Sequence, residues 1–245
     1  MARQRLGQHF LTQGRILERI AQAACPAREP LVLEIGAGTG ALTARLLTRA
    51  DRVVAIELDE GLAAGLRQRY SPLTVMVADA REMDLGRWGP AVIAGNLPYY
   101  AATQIIERAL ASPLTRGVFL IQKEVAERLC ASPGSRDYGY LTVATQLLAD
   151  VELLFGVPPS AFRPPPKVES AVVRLTPRAK AEALGIADVP RFLEFASRCF
   201  RQKRKTLRNN LAAFYPGIDS LPESARRAEQ LTLAQFAALY LRLAG

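Results

Sequence analysis

The sequence predicts an α/β protein: a Rossmann-like, mostly parallel sheet with an antiparallel last pair of strands, followed by a small C-terminal all-α domain. Three observations predict it. Short apolar runs alternate with helical patterns through the first 130 residues, a glycine-rich loop follows the first of those runs, and only helical periodicity remains after Pro177.

The elements follow in order. Ile16, Leu17, Ile20, Ala21 and Ala24 have helical spacing, stopped near Pro26, and with Arg15 and Arg19 they make an N-terminal basic helix. Strands are expected at residues 31–35, 53–56, 74–77, 91–94 and 118–121, with helices near 39–47, 59–69, 102–111 and 123–130. Almost every position in those strands is apolar, which suits a parallel sheet covered on both faces. Two further strands, 151–155 and 170–175, flank a proline-rich connection from Pro158 to Pro166. No helix separates this pair, so it is read as antiparallel. The domain boundary falls near residue 180, giving domains of residues 1–178 and 179–245. The sequence contains no internal repeat.

Composition narrows the class. With 245 residues and 49% hydrophobic content, the chain has enough apolar surface for a packed core. No run approaches the roughly 20 apolar residues of a membrane span. Met1-Ala2-Arg3-Gln4-Arg5 is basic, but Gln8, His9, Thr12 and Gln13 interrupt any signal-peptide core. A soluble, cytoplasmic protein with no membrane partner is expected. Cys25, Cys130 and Cys199 form no CxxC pair, and His9 is the single histidine, so neither a metal site nor a disulfide framework is expected. The net charge is +9, and residues 178–245 carry twelve basic against six acidic residues. Such asymmetry points to a polyanionic partner.

Gly36, Gly38 and Gly40, in Glu34-Ile35-Gly36-Ala37-Gly38-Thr39-Gly40, follow a strand and precede a helix. Glycine there permits a tight turn and close ligand approach. Alanine at position 41 weakens a nicotinamide reading. Glu57 ends the second strand and is suited to ribose hydroxyls, while Asp79 ends the third and is suited to an adenine amino group. Together these groups match S-adenosylmethionine.

Asn96-Leu97-Pro98-Tyr99 follows the fourth strand. An exocyclic adenine amine is a poor nucleophile because its lone pair is delocalised into the ring. It needs acceptors for both N–H bonds so that the nitrogen pyramidalises. The Asn96 side chain offers one acceptor and the Leu97 carbonyl another, with Pro98 stiffening the turn. Tyr99 offers a flat face for an extruded base, although Tyr100 could take that role. Phe162, in the proline-rich connection, is the candidate for the opposite face of the base. These residues predict an amine methyltransferase acting on nucleic acid.

Arg198, Arg201, Lys203, Arg204, Lys205 and Arg208 lie in a stretch without acidic residues between Phe195 and Asp219. If the segment is helical throughout, Arg201, Arg204, Lys205 and Arg208 share one stripe opposite Phe192, Phe195, Ala196, Cys199 and Phe200. That stripe would face phosphates. Arg3, Arg5, Arg15 and Arg19 would add a second basic edge.

The chain resembles the bacterial small-subunit (16S) ribosomal RNA adenine N6,N6-dimethyltransferase family. The residues that carry the resemblance are Gly7 to Leu11, the glycine loop, Glu57, Asp79, Asn96 to Tyr99, Phe162-Arg163-Pro164-Pro165-Pro166 through Val172, and Phe200 to Asn209. The match is essentially end to end. It implies a class I methyltransferase domain that binds S-adenosylmethionine, a small helical RNA-binding domain, and transfer of four methyl groups to two adjacent adenosines near the 3′ end of the small-subunit rRNA. The substrate would be an immature 30S particle, met by a monomer. The resemblance assigns the cofactor to His9, Leu11, Gly36, Glu57, Asp79 and Asn96, extended here to Gly38, Gly40, Leu58 and Ala80. It assigns the adenine to Asn96, Leu97, Tyr99 and Phe162, beside Pro98. His9 and Tyr100 stand where many members carry asparagine, and Ala101-Ala102-Thr103 replaces a usual Ile-Ser-Thr. Related erythromycin-resistance enzymes methylate large-subunit rRNA; the 200–209 segment favours the small-subunit branch. A DNA adenine methyltransferase and a non-catalytic ribosome-assembly factor are the alternatives.

Overall fold

The computed structural model describes residues 8–244. Gly7, Arg3 and Arg5 lie outside the described residues. The chain forms two compact units. One comprises the described residues up to Ala126 together with Glu152–Pro177; the other comprises Glu127–Val151 and the residues from Arg178 onward. The sequence suggested one boundary near residue 180, whereas the chain here passes between units three times.

The first unit begins with a two-residue strand β1 (Phe10–Leu11) and helix α1 (Gly14–Ala24). Strand β2 (Glu29–Ile35) leads through the glycine loop to a single-turn helix α2 (Thr43–Leu46). The expected helix at 39–47 is shorter because Gly38 and Gly40 hold positive φ values of 57° and 84°, outside helical geometry. Strand β3 (Ala50–Glu57) passes into α3 (Glu60–Arg69), whose first turn is capped by the Asp59 carboxylate accepting from the Gly61 and Leu62 N–H groups. Strands β4 (Thr74–Val77) and β5 (Ala91–Asn96) precede α4 (Ala102–Leu110), and β6 (Leu114–Gln122) runs into α5 (Lys123–Cys130).

Helix α6 (Tyr140–Leu148) was not legible in the sequence: Leu141 to Thr145 and Leu147 are all buried, so no one-sided apolar stripe marks it. Strand β7 (Ala149–Val157), a short β8 (Phe162–Arg163) and β9 (Ser170–Pro177) follow.

The main sheet has the order β4-β3-β2-β5-β6-β9-β7. Strands β4 to β6 pair in parallel, and β9 runs antiparallel to β6. Ion pairs Glu152–Arg174 and Asp150–Arg178 run in opposite index order, as an antiparallel β7–β9 pair requires. Strand order reverses at β2, where β3 departs to one side and β5 to the other. In open α/β sheets ligands bind beyond the carboxyl ends at this switch point. Gly95 lets β5 approach β2 there: a Cβ on it would lie 2.2 Å from the Ile35 carbonyl oxygen. Helix α1 seals one face, with Leu17, Ile20, Ala21 and Ala24 packed among Val32, Val92, Val118 and Leu120.

The second unit adds α7 (Lys180–Ala183), α8 (Val189–Cys199), α9 (Leu207–Leu211) and α10 (Leu233–Ala244). Its core is aromatic. Phe192 and Tyr240 meet edge to face with centroids 5.5 Å apart, and Phe195 meets Tyr215 at the same distance. Among the described residues no helix is long and apolar enough to cross a membrane.

Gly95→Ala should destabilise the protein by about 3 kcal/mol or more, because the added methyl meets fixed main chain. Gly65→Ala, in α3 with nothing within 4 Å of the new atom, should gain about 0.5–1 kcal/mol. Urea unfolding of both variants checks the contrast; similar midpoints would refute it.

Candidate active site

The carboxyl edge of the sheet carries a cavity of about 620 Å³. Gly36 follows β2 with φ +70°, its N–H donating to the Ile56 carbonyl, and a Cβ there would crowd the Asn96 carbonyl at 3.2 Å. Gly38 likewise leaves room only for the Phe10 ring, 3.2 Å from its notional Cβ. Glu57, 5% exposed at the end of β3, accepts from the Gly38 N–H at 2.8 Å and from the Asp59 N–H at 2.9 Å. One carboxylate therefore shapes two loops of the cavity while retaining free lone pairs.

Asp79 holds Arg81 through a two-pronged contact, with Arg81 Nε 3.0 Å from each oxygen, and accepts the Arg81 main-chain N–H at 2.9 Å. The guanidinium keeps the Asp79 carboxyl below the usual carboxylate range. Nothing in the sequence pattern had marked Arg81.

Glu34 lines the cavity at 1% exposure, and its Oε2 finds no hydrogen-bond partner among the described residues. Burial pushes its pKa up to about 8, reinforced by the Glu57 charge and opposed by Thr43. The sequence had shown it only as part of the loop motif.

The Asn96 turn is held from both sides. Leu97 N–H donates to the Leu120 carbonyl, and Ala101 N–H closes the turn onto the Pro98 carbonyl. Asn96 Nδ2 donates to the His9 main-chain carbonyl at 3.0 Å, which leaves Oδ1 as the side chain's acceptor. The Tyr99 hydroxyl shares a 2.7 Å hydrogen bond with Ser170 Oγ, and Ser170 is fully buried. Burial raises the Tyr99 pKa, so the phenol stays protonated. Ser170 is a positioning partner recognisable only once β9 is seen beside β6.

A strap formed by residues 8–11 crosses this edge. Leu11 pairs with Phe162 and Phe10 with Arg163, Thr12 N–H donates to the Ala161 carbonyl, and His9 Nδ1 lies 2.8 Å from the Pro164 carbonyl. A carbonyl only accepts, so Nδ1 carries the proton. The His9 and Tyr99 rings lie 6.0 Å apart at 30°.

Of the expected cofactor residues, His9, Leu11, Gly36, Gly38, Glu57, Leu58, Asp79, Ala80 and Asn96 line the cavity. Gly40 does not. A Cβ on it would strike Tyr70 at 2.7 Å and Leu66 at 2.8 Å, so this glycine serves packing against α3. Asn96, Leu97, Pro98 and Tyr99 line the cavity together, with Tyr100 at its lip. Phe162, the candidate for the opposite face of the base, is a core residue: it is 0% exposed, pairs with Leu11 and packs in the same core cluster.

The basic stretch is corrected as well. Helix α8 stops at Cys199, and residues 201–205 form an exposed loop before α9. Asn210, 4% exposed, ends the helix: Nδ2 donates to the Cys199 carbonyl at 2.8 Å and to the Gln202 carbonyl at 3.3 Å, and Oδ1 accepts from Gln202 N–H at 3.0 Å. Arg201, Arg204, Lys205 and Arg208 therefore share no helical stripe. Counter-charges also come from outside the acid-free stretch. Arg208 pairs with Asp219 at 2.8 Å and Arg198 with Glu194, while Lys203 Nζ donates to the Arg136 carbonyl. Arg201, Arg204 and Lys205 stay exposed. Among the described residues no cluster of His, Cys, Asp or Glu is arranged to hold a metal ion.

The description "Ribosomal RNA adenine dimethylase" matches residues 1–244. The chain belongs to that family. It is 42% identical over 250 residues to a protein of Thiobacillus denitrificans named ribosomal RNA small subunit methyltransferase A, covering 99% of this chain and 98% of the relative. A dimethyladenosine transferase from Plasmodium falciparum has a similar structure, with TM-score 0.80, 28% identity and coverage of 96% and 97% of the two chains. The 23S rRNA methyltransferase ErmE follows at TM-score 0.74 and 28% identity, covering 96% and 100%. The chain is thus an rRNA adenine dimethyltransferase that uses S-adenosylmethionine, with a class I methyltransferase fold. The cavity fits that cofactor: Gly36 and Gly38 line it together with Glu57 and Asp79, which stand at successive strand ends, and Glu34 Oε2 is buried there without a partner among the described residues.

Since Glu34 is held near pH 8 in the fold against an ordinary value of 4.5, the native state binds the extra proton. Stability should therefore decline as pH rises from about 5 to 8. Glu34→Gln should flatten that decline, as urea midpoints at pH 5.5, 7 and 8.5 would reveal. Parallel wild-type and variant curves would contradict it.

Proposed function

We propose that this protein dimethylates N6 of two adjacent adenosines near the 3′ end of small-subunit rRNA, within an immature 30S particle in the cytoplasm. The observation that carries this reading is the Asn96 amide, fixed by the His9 carbonyl with its oxygen left for a ligand, at the mouth of a cavity lined by Glu57 and Asp79. The choice of small-subunit rRNA is supported by the 42% identity to the Thiobacillus protein so named, against 28% to the large-subunit enzyme ErmE.

Cofactor contacts are assigned to His9, Leu11, Gly36, Gly38, Glu57, Leu58, Asp79, Ala80 and Asn96. When bound, S-adenosylmethionine supplies a methyl group already activated by its sulfonium centre. The protein's contribution is then orientation. Asn96 Oδ1 and the Leu97 carbonyl accept the two amine N–H bonds, which withdraws the nitrogen lone pair from the ring and frees it to form the new bond. Pro98 holds these two acceptors in one turn. Tyr99, anchored by Ser170, supplies the face on which the extruded adenine rests. With a bound sulfonium as donor, each new N–C bond would break the donor's S–C bond, and the nitrogen would shed one proton to solvent, since neither the Asn96 amide nor the Leu97 carbonyl is a base. After the first methylation one N–H remains, and a single acceptor suffices for the second. Arg201, Lys203, Arg204 and Lys205 of the exposed loop, with Arg208 on α9, are assigned to rRNA phosphates in place of a single helical stripe.

Methyl transfer from labelled S-adenosylmethionine to immature small-subunit particles, naked large-subunit RNA and DNA tests the assignment. Label on the particles supports it; label on DNA alone overturns it. Asn96→Ala should lower turnover by about a hundredfold or more, in the range for loss of a positioned polar group, while calorimetric cofactor affinity falls much less. Unchanged turnover would remove Asn96 from the mechanism. Replacing Arg201, Arg204 and Lys205 by glutamine should weaken RNA binding and reduce the salt slope by about two to three. An unaltered slope would return the loop to ordinary surface.

A further inference from the structure

Tyr100 follows the Asn96–Tyr99 turn but does not share its burial. It is 57% exposed at the lip of the cavity, whereas Tyr99 beside it is half-buried and tied to Ser170. One side of the Tyr100 ring is backed by Arg81, whose guanidinium carbon lies 5.4 Å from the ring centroid. Arg81 is itself immobilised by Asp79, and Arg108 Nε donates to its carbonyl at 2.8 Å. A large ring on a braced mount, still largely open to solvent, contributes little to folding. Aromatic faces of this kind stack nucleobases, and a guanidinium beside the ring adds attraction for the polyanion.

We propose that Tyr100, backed by Arg81, is a stacking subsite for the nucleotide adjacent to the adenosine being methylated. This rests on the proposed function, under which that neighbour is itself a purine with a broad stacking face. The two consecutive tyrosines divide the work: Tyr99 receives the reacting base, and Tyr100 keeps the neighbouring base from restacking on it. Tyr100 is thus a positioning residue for RNA and touches no reacting atom. Asp79 connects the subsite to the cofactor end of the cavity through Arg81, so the test is made at Tyr100 alone.

Wild type, Tyr100→Phe and Tyr100→Ala, each as the full chain, are compared in steady-state methyl transfer to small-subunit particles. The alanine variant should raise KM for the particle roughly 5- to 20-fold, the lower part of the range for one lost base stack, with kcat changed less. Phenylalanine should stay within about twofold, since it keeps the ring. Calorimetric affinity for S-adenosylmethionine and the unfolding midpoint should match in all three. In a short RNA with 2-aminopurine next to the target adenosine, wild type and Tyr100→Phe should quench fluorescence and Tyr100→Ala should not. An unchanged KM and unchanged quenching in Tyr100→Ala overturn the subsite, as does an equal loss in Tyr100→Phe. A wild-type protein that transfers no methyl group overturns the functional reading instead, and the quenching measurement still reports on the subsite.

Discussion

The bond from Asn96 Nδ2 to the His9 carbonyl decides which end of the amide faces the cavity. Reversed, the side chain would present its Nδ2 donor to the cavity in place of the Oδ1 acceptor, without any change in shape. The same bond anchors the strap. From His9 onward the strap is tied to the Ala161–Pro164 segment, so one contact joins the turn after β5, the chain before α1 and the connection before β9. Those segments are far apart in sequence, and two of them, residues 8–11 and the Asn96 turn, line the cavity.

Below the strap, a second economy is at work. Glu57 uses its two oxygens to hold the Gly38 and Asp59 N–H groups, fixing the loops after β2 and β3 before any ligand arrives. Pre-set loops lose little entropy on binding. In the other unit, Asn210 does comparable service for the charged loop, satisfying the carbonyl at the end of α8 and the main chain of Gln202. In both places one buried polar side chain substitutes for several main-chain partners.

Much of this was legible in the sequence. The parallel strands announced themselves because burial on both faces demands unbroken apolar runs, and the positions of the glycine loop, Glu57, Asp79 and Asn96 followed from strand ends. Failures had physical causes. Helix α6 is buried nearly all round, so its periodicity vanishes. The stretch after Cys199 has helical spacing, but Asn210 reaches back from α9 and breaks it, an event no local pattern records. Phe162, in a proline-rich connection, suited a base-stacking face; its burial beside Leu11, a strand partner 151 positions earlier, is set by tertiary pairing. Arg81, Ser170 and the isolation of the Glu34 oxygen likewise depend on what tertiary packing places beside them.

The strap's attachment to Asn96 uses a main-chain oxygen, which every amino acid possesses. A substitution at position 9 would consequently leave that tether in place, because the His9 side chain takes no part in it. The His9 ring itself meets the Pro164 carbonyl and, at 6.0 Å, the Tyr99 ring, and a side-chain amide could reproduce the first of these contacts.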